Sequence, residues 1–161
     1  LDADLGIAYA KSQMAANSPL PLQGRVFLSV SDAHKSSVAE VAREFANLGF
    51  ELIATGGTAD VLAKAGLTVQ RIFKLQEGRP NAIDLMVSGE IQLLVNTPLG
   101  KLTQMDDHSM RRAALQQHVP YTTTLSAASA AVDAIIAMKS RPLEVRSLQE
   151  WHQLAREATP A

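Results

Sequence analysis

Apolar and polar positions alternate along this chain in blocks that predict strands and helices in turn. Short runs of β-branched and large apolar residues, bounded by glycine or polar residues, are typical of buried strands. Segments with apolar residues three and four positions apart, often ended by glycine, are typical of helices. Strands are predicted at 25–30, 50–54, 69–73, 91–95 and 119–124, and helices at 38–48, 58–65, 81–87, 107–117, 127–138 (with Ser126 as its N-cap) and 148–157.

This alternation also predicts the fold class. Strands that alternate with helices of this length form a mostly parallel sheet covered on both faces. We therefore predict an α/β domain with three α/β/α layers and a five-stranded, mostly parallel sheet. The chain contains no internal repeat and no low-complexity tract.

The first 24 residues depart from the pattern. Residues 1–17 predict a short helix, and two prolines within residues 18–24 then break any helix. We interpret residues 1–17 as the last helix of a preceding domain, residues 18–24 as a linker, and residues 25–161 as the domain itself. The chain begins with Leu1 rather than Met, which suggests a piece of a longer protein.

Composition narrows the classes of function. The 15 basic and 16 acidic residues give a formal charge of −1, and only 4% of the residues are aromatic. A nucleic-acid-binding protein would show a basic excess or stacking side chains. The absence of cysteine excludes disulfides, thiolate metal sites and cysteine nucleophiles, and suits a reducing cytosol. No apolar run approaches the ~18 residues of a membrane span, and no signal peptide opens the chain.

Candidate chemistry gathers where the predicted strands end. Ligands of such sheets bind beyond the carboxyl ends of the strands, where helix N-termini present free N–H groups. The turn Thr55-Gly56-Gly57-Thr58 follows the second strand, and its glycines let a ligand approach the backbone closely. Lys35 follows the first strand and Lys74 the third. Together these residues predict a phosphate site, and the alternative is a tight turn with Thr58 as a helix N-cap.

The other candidates are weaker. Asn96, after the fourth strand, either binds a ligand or fixes its own loop. Asp106 and Asp107 open a predicted helix, where carboxylates suit the positive end of the dipole. The alternative for Asp106 is a contact with a ribose hydroxyl. The four histidines show no metal-ligand spacing, and no Ser-His-Asp order stands out. The residues alone predict a phosphate-bearing small ligand and leave open whether it is transformed.

Five short motifs resemble one family. They are Gly24-Arg25-Val26-Phe27-Leu28-Ser29-Val30, Ala54-Thr55-Gly56-Gly57-Thr58-Ala59, Glu77-Gly78-Arg79-Pro80, Val95-Asn96-Thr97 and Arg111-Arg112-Ala113-Ala114-Leu115. Together they resemble the methylglyoxal-synthase-like domain, in the version found at the carboxyl end of the large subunit of carbamoyl-phosphate synthetase. The resemblance covers about residues 20–157. The opening helix and linker resemble the end of the preceding synthetase domain.

The resemblance implies a regulatory domain with no catalytic residues, metal or cofactor of its own. Family members bind UMP as a feedback inhibitor and, in some bacteria, IMP as an activator, and ornithine activates at the contact with the neighbouring domain. The parent enzyme uses ATP and Mg or Mn to make carbamoyl phosphate from glutamine and bicarbonate for arginine and pyrimidine synthesis. The implied partners are the rest of the large subunit and the glutaminase small subunit, with no nucleic acid or membrane. The implied compartment is the cytoplasm, or the plastid stroma in a plant.

The resemblance also implies roles for individual residues. The effector phosphate would be bound by Lys35, Thr55, Gly56, Gly57, Thr58, Lys74, Asn96 and Lys101. Asp106 would bind the nucleoside, and Thr123 and Thr124 would contribute to the ornithine site. Pro98 departs from the best-known bacterial members, which have a threonine hydroxyl at this position, because proline offers no side-chain donor.

Two enzymes that share the fold form the competing class. Methylglyoxal synthase eliminates phosphate from dihydroxyacetone phosphate with an aspartate and a histidine, and the matching positions here are Arg79 and Gln104. Neither side chain replaces a carboxylate base or an imidazole. The IMP cyclohydrolase domain needs a Lys-Thr-Leu-His-Pro-Lys segment that this sequence lacks. We therefore expect no catalysis by this chain alone, and a domain kept only for packing or oligomerisation is the third alternative.

Overall fold

A sheet of five parallel strands lies at the centre of the computed structural model, which describes residues 1–97 and 104–157. The strands are β1 (Arg25–Ser29), β2 (Glu51–Thr55), β3 (Val69–Ile72), β4 (Leu93–Asn96) and β5 (Tyr121–Thr122), in the order β3-β2-β1-β4-β5. The helices are α1 (Leu5–Ala15), α2 (Val38–Asn47), α3 (Gly56–Lys64), α4 (Ala82–Val87), α5 (Gln104–Gln116), α6 (Leu125–Ser140) and α7 (Leu148–Glu157). The predicted fold class is confirmed, and every pair of neighbouring strands is parallel.

The sheet separates two apolar cores. Successive residues of a strand point to opposite faces, so Val26 and Leu28 of β1 enter one core and Phe27 enters the other. All three side chains are fully buried. Helices α2, α3 and α6 cover the first core, and helices α4 and α5 cover the second. These packed layers are the predicted α/β/α arrangement.

The strand order places one crevice at the carboxyl edge of the sheet. Strand β1 lies between β2 and β4, so the chain leaves the centre of the sheet in both directions. In open parallel sheets such a reversal of strand order marks the place where ligands bind. Ser29 at the end of β1 pairs with Asn96 at the end of β4, which brings two polar side chains to this edge. Within the described ranges, no helix is long and apolar enough to cross a membrane.

Helix α1 packs closely on α6. Gly6, Ile7 and Ala10 are the buried residues of α1. A Cβ at Gly6 would lie 2.9 Å from the backbone oxygen of Asp133, so a side chain at this position would push the two helices apart. Ala10 belongs to the first core together with residues of α6. The assignment of residues 1–17 to a preceding domain stays a prediction.

Several helices begin at residues other than the predicted ones. The Thr124 side chain accepts a hydrogen bond from the Ala127 amide at 3.1 Å, so Thr124 is the N-cap of α6 and the prediction of Ser126 is wrong. Likewise Thr55, rather than Thr58, is the N-cap residue of α3. In both cases a neighbouring hydroxyl residue with extended backbone occupies the cap position.

The carboxylate of Asp2 joins the start of the chain to Lys11 of α1 and to Arg141, the C-cap residue of α6, and we expect Asp2→Asn to destabilise the fold. Its oxygens lie 2.7 Å from Lys11 Nζ and 2.9 Å from an Arg141 guanidinium nitrogen, and its side chain is 7% exposed. The hydrogen bond from Lys11 is the main reason that the pKa of Asp2 lies well below its ordinary value. Urea unfolding at pH 7 should show a loss of about 1–3 kcal/mol in the variant.

The pH dependence of this loss follows from the direction of the pKa shift. A lowered pKa contributes stability above the ordinary value, about 3.9 for aspartate, and that contribution is lost as the pH falls below it. The difference between Asp2→Asn and wild type should therefore shrink between pH 5 and pH 3. Glu44→Gln removes an exposed carboxylate from α2 and should stay within about 0.5 kcal/mol of wild type. A difference for Asp2→Asn that is constant across this pH range would contradict the ion-pair explanation.

Candidate functional site

A cavity of about 250 Å³ opens at the carboxyl edge of the sheet. Its polar lining residues are Ser29, Asp32, Lys35, Thr55, Thr58, Lys74, Asn96, Asp106 and Asp107. Its remaining lining residues are Phe27, Val30, Gly57, Phe73, Leu75, Ala82 and Met110. The cavity therefore combines two lysines with carboxylates, hydroxyls and an apolar wall. Of the predicted site residues, it brings together Lys35, Thr55, Gly57, Thr58, Lys74, Asn96 and Asp106.

The N-terminus of α3 forms one end of the cavity. Thr55 is the N-cap residue with extended backbone, and Gly56 is the first residue of α3. The Thr55 side chain makes no cap hydrogen bond, so it does not occupy the amides of the first turn. The first N–H groups of a helix have no partner within the helix, and the helix dipole gives them partial positive charge. Lys35 Nζ would lie 2.9 Å from a Cβ on Gly57. The glycine thus leaves room for the lysine ammonium beside the free amides.

The hydroxyls of Thr58 and Thr55 join the end of β1 to α3 and to β2. Thr58 Oγ1 accepts a hydrogen bond from the Val30 amide at 3.1 Å, which fixes the exit of β1 against α3. Thr58 is 3% exposed, and its hydroxyl hydrogen remains available for a further acceptor. Thr55 Oγ1 lies 3.5 Å from Ser29 Oγ. Ser29, which the sequence reasoning did not single out, therefore joins β1 to the turn.

Both cavity lysines have carboxylate partners three residues away. Lys35 Nζ pairs with Asp32 at 2.5 Å, and Lys74 Nζ lies 3.4 Å from Glu77. The hydrogen bond and charge of Lys35, with a smaller contribution from the charge of Lys74, hold the pKa of Asp32 below its ordinary value. Exposed ion pairs of this kind contribute little stability. A phosphate can therefore replace these carboxylates as the partner of the lysines at little cost.

The first turn of α5 forms the opposite end of the cavity. Asn96 Nδ2 donates to Asp107 Oδ1 at 2.8 Å and so ties α5 to the end of β4. Gln76 Nε2 donates to Asp106 Oδ1 at 2.9 Å and ties α5 to the loop after β3. Met110 lies one turn further along α5, on the face that carries these aspartates. Asn96 thus joins β4 to α5, and the two roles predicted for it, ligand binding and fixing its own loop, stay predictions.

Several predicted residues lie elsewhere. Gly56 does not line the cavity, and its carbonyl accepts a hydrogen bond from Arg71 at 2.9 Å. Thr123 and Thr124 also lie outside the cavity lining, and the Thr124 hydroxyl is used to cap α6. Lys101 and Pro98, and the side chain of Gln104, lie outside the described residues. The Arg79 side chain is 84% exposed, 3.6 Å from Asp84.

Residues 37–123, more than half of the chain, match the family model of the MGS-like domain. This chain belongs to the MGS-like domain family. The chain superposes on methylglyoxal synthase from Elizabethkingia anophelis with a TM-score of 0.56, covering 83% of this chain and 93% of that one. The sequence identity is 16%, so this likeness shows the fold alone.

Curated relatives of this MGS-like domain are much longer proteins. It is 50% identical over 156 residues to the carbamoyl phosphate synthase large chain of Gemmatimonas aurantiaca and 45% identical over 154 residues to that of Archaeoglobus fulgidus. These matches cover 97% and 95% of this chain but 14% of each relative. It is also 42% identical over 159 residues to the "Carbamoyl phosphate synthase large chain, C-terminal section" of Aquifex aeolicus, covering 96% of this chain and 30% of that protein.

Proposed function

We propose that this MGS-like domain is the effector-binding regulatory part of a carbamoyl-phosphate synthetase large chain, and that its cavity binds a nucleoside monophosphate such as UMP or IMP. Support comes from the similarity of nearly the whole chain to a segment of such large chains. In this proposal the longer protein makes carbamoyl phosphate with ATP and Mg or Mn. The regulatory domain supplies no catalytic residue, and its partners are the rest of the large chain and the glutaminase subunit.

The observation that carries the proposal is the position of Lys35 over the first turn of α3, with Lys74 lining the same cavity. Free helix amides together with a cation bind phosphate groups in many proteins. Hydrogen bonds between an ammonium and a phosphate oxygen are charge-assisted and stronger than neutral ones. This end of the cavity is therefore the proposed place for the phosphate group of the ligand.

The rest of the cavity suits a nucleoside attached to that phosphate. Phe27 and Met110 present buried apolar surface, and Asp106 offers a carboxylate at the same wall. Small-molecule sites combine mostly apolar walls with a few polar groups that fix orientation. In the proposed pose the phosphate lies on α3 and the nucleoside extends toward α5.

Regulation requires that the effector distinguish two states of the longer protein. A ligand with equal affinity for both states shifts no equilibrium, however tightly it binds. Coupling free energies of about 1–3 kcal/mol are typical of such systems. The domain on its own is thus expected to bind nucleotide, although it has no catalytic activity whose rate could change.

The proposed ornithine site at Thr123 and Thr124 is separate from the cavity.

Lys35→Ala is expected to weaken UMP or IMP binding about tenfold, because a charge-assisted hydrogen bond contributes about 1.5 kcal/mol or more. Isothermal titration calorimetry with UMP, IMP and ornithine measures this loss. Lys64→Ala removes the same charge from the exposed end of α3 and should leave the affinity unchanged. A Lys35→Ala protein that is folded and binds nucleotide as tightly as wild type would place the phosphate elsewhere. Any effect of ornithine should survive Lys35→Ala.

An enzymatic function is the second candidate, since methylglyoxal synthase from Elizabethkingia anophelis shares the fold. Elimination of phosphate from dihydroxyacetone phosphate requires a base near the phosphate site. We expect no methylglyoxal from this chain, because Arg79 occupies the position that corresponds to the catalytic aspartate in the resemblance. A colorimetric assay for methylglyoxal decides between the regulatory domain and the enzyme. Turnover of dihydroxyacetone phosphate above the buffer control would favour the enzyme. A domain that serves only packing would bind none of these ligands.

A further inference from the structure

Asp32 places an anionic group beside the cavity lysines. Its carboxylate pairs with Lys35 Nζ at 2.5 Å, and the residue lines the cavity together with Lys35 and Lys74. Lys35, through its hydrogen bond and its charge, and Lys74, through its charge, hold the pKa of Asp32 below its ordinary value. The same Lys35 ammonium lies beside Gly57, at the first turn of α3. A carboxylate of the chain itself therefore already pairs with the ammonium that a ligand phosphate would need.

We infer that Asp32 is an internal competitor of the ligand, whose carboxylate pairs with Lys35 when no ligand is bound and is displaced by the phosphate when one binds. This inference rests on the proposed function, because it assumes that Lys35 binds the phosphate of a nucleotide. It goes beyond that function by assigning control of the affinity to a residue that would not contact the bound ligand. Asp32 would then be an autoinhibitory residue of the site.

The charges of the cavity wall favour displacement over simple addition of the ligand. Among the described residues, the lining holds two lysines and three aspartates, so its formal charge is −1. A phosphate monoester that entered beside an unmoved Asp32 would bring like charges together at one ammonium, and such contacts are strongly unfavourable. Withdrawal of one carboxylate into solvent removes this repulsion and leaves the ammonium of Lys35 to the phosphate.

Asp32 is the aspartate of the lining that is free to leave. Asp106 and Asp107 each accept an amide hydrogen bond from a neighbouring segment, from Gln76 and Asn96 respectively. The Asp32 carboxylate, in contrast, has Lys35 as its ion-pair partner three residues away, and its side chain is 84% exposed. Its rotation into water therefore breaks one exposed contact and buries no charge.

The backbone around Asp32 holds its position while the side chain rotates. The amide of Ser31 donates to Thr97 Oγ1 at 2.9 Å, and this hydroxyl belongs to a residue that is 1% exposed. The 3₁₀ turn at residues 32–34 is thus fixed to the end of β4. A change between two staggered side-chain rotamers is sufficient to move the carboxylate away from Lys35.

Asp32→Asn should bind nucleotide more tightly than wild type. Asparagine keeps the size of the side chain but has no charge to compete for the ammonium. The expected gain is about two- to fivefold in affinity, the scale of an exposed ion pair that no longer has to be broken. Calorimetry with UMP or IMP measures it on the folded protein.

A double-mutant cycle separates displacement from a general effect of charge. In the Lys35→Ala background there is no ammonium for which to compete, so adding Asp32→Asn should produce no gain in affinity. Asp60→Asn is the matched control, because Asp60 is an exposed carboxylate of α3 that pairs with Arg71 and lies outside the cavity lining. This control should bind nucleotide as wild type does.

Three results would overturn the inference. The first is a folded Asp32→Asn protein that binds no more tightly than wild type. The second is an equal gain from Asp32→Asn with and without Lys35, and the third is an equal gain from Asp60→Asn. The second and third would attribute the effect to net charge alone.

Failure of the proposed function has a different signature. In that case wild type binds no nucleotide, or Lys35→Ala binds as tightly as wild type. The inference fails alone when Lys35→Ala weakens binding but Asp32→Asn gives no gain that depends on Lys35. Thermal melts of each variant show that the comparison is made on folded protein.

Discussion

Phe45→Ala is expected to lower the free energy of unfolding by about 3–5 kcal/mol. Phe45 is fully buried on the inner face of α2 and belongs to the first core. Its ring meets Phe50 edge to face, with centroids 5.8 Å apart and planes at 85°. Truncation removes the buried ring, opens a cavity between α2 and the sheet, and deletes an aromatic pair that contributes about 0.5–1.5 kcal/mol.

Chemical denaturation measures this loss. Leu115→Ala is the control, because Leu115 is a large apolar residue of α5 that is 70% exposed, and its removal should cost less than about 0.5 kcal/mol. Phe45→Leu keeps most of the volume and should fall between wild type and Phe45→Ala, which provides a measurable variant where the alanine protein does not fold. A loss below about 1 kcal/mol for Phe45→Ala would mean that α2 does not pack on the sheet as described.

The periodicity of the sequence predicts the helices and strands well, because strand and helix patterns depend on neighbouring residues. Periodicity does not predict strand order, because strand order depends on pairings between distant segments such as β1 with β4. Helix starts were also missed, as at α3, α5 and α6. Several Ser and Thr residues follow β5, each able to cap a helix, and only the three-dimensional path of the chain selects Thr124.

The candidate site was likewise predicted from the sequence only in part. Lys35, Lys74 and the Thr55-Gly56-Gly57-Thr58 turn follow from the rule that ligands bind where parallel strands end, and the structure brings them to one cavity except for Gly56. The partners of these residues were missed. Asp32 faces Lys35 because residues 32–34 form a short 3₁₀ turn that the sequence pattern does not reveal.

Asp107 shows why the opposite end of the cavity was harder to predict. The predicted helix began at Asp107, which would make this residue a surface carboxylate at a helix start. In the structure α5 begins at Gln104, so Asp107 lies inside the first turn and meets Asn96. A shift of three residues in a helix start is nearly one full turn, so α5 gains most of a turn ahead of Asp107 that the sequence pattern did not predict.

Gly57→Asp should abolish nucleotide binding, with at least a hundredfold loss of affinity, while leaving the fold as stable as in wild type. The new carboxylate would stand beside Lys35 Nζ, in the place proposed for the phosphate. Two like charges brought together at one site repel by several kcal/mol. Stability should not suffer, because Gly57 is exposed in the first turn of α3, where an acidic side chain suits the helix dipole.

Two further variants separate charge from bulk. Gly57→Asn has the size of aspartate without its charge and should lose less affinity than Gly57→Asp, and Gly57→Ala should lose the least because only the flexible end of Lys35 must move. Calorimetry gives the three affinities, and thermal melts confirm that each protein is folded. Nucleotide binding by Gly57→Asp within tenfold of wild type would show that the phosphate does not lie on the first turn of α3. Equal losses for the aspartate and asparagine variants would attribute the effect to bulk, and the electrostatic argument for this site would then fail.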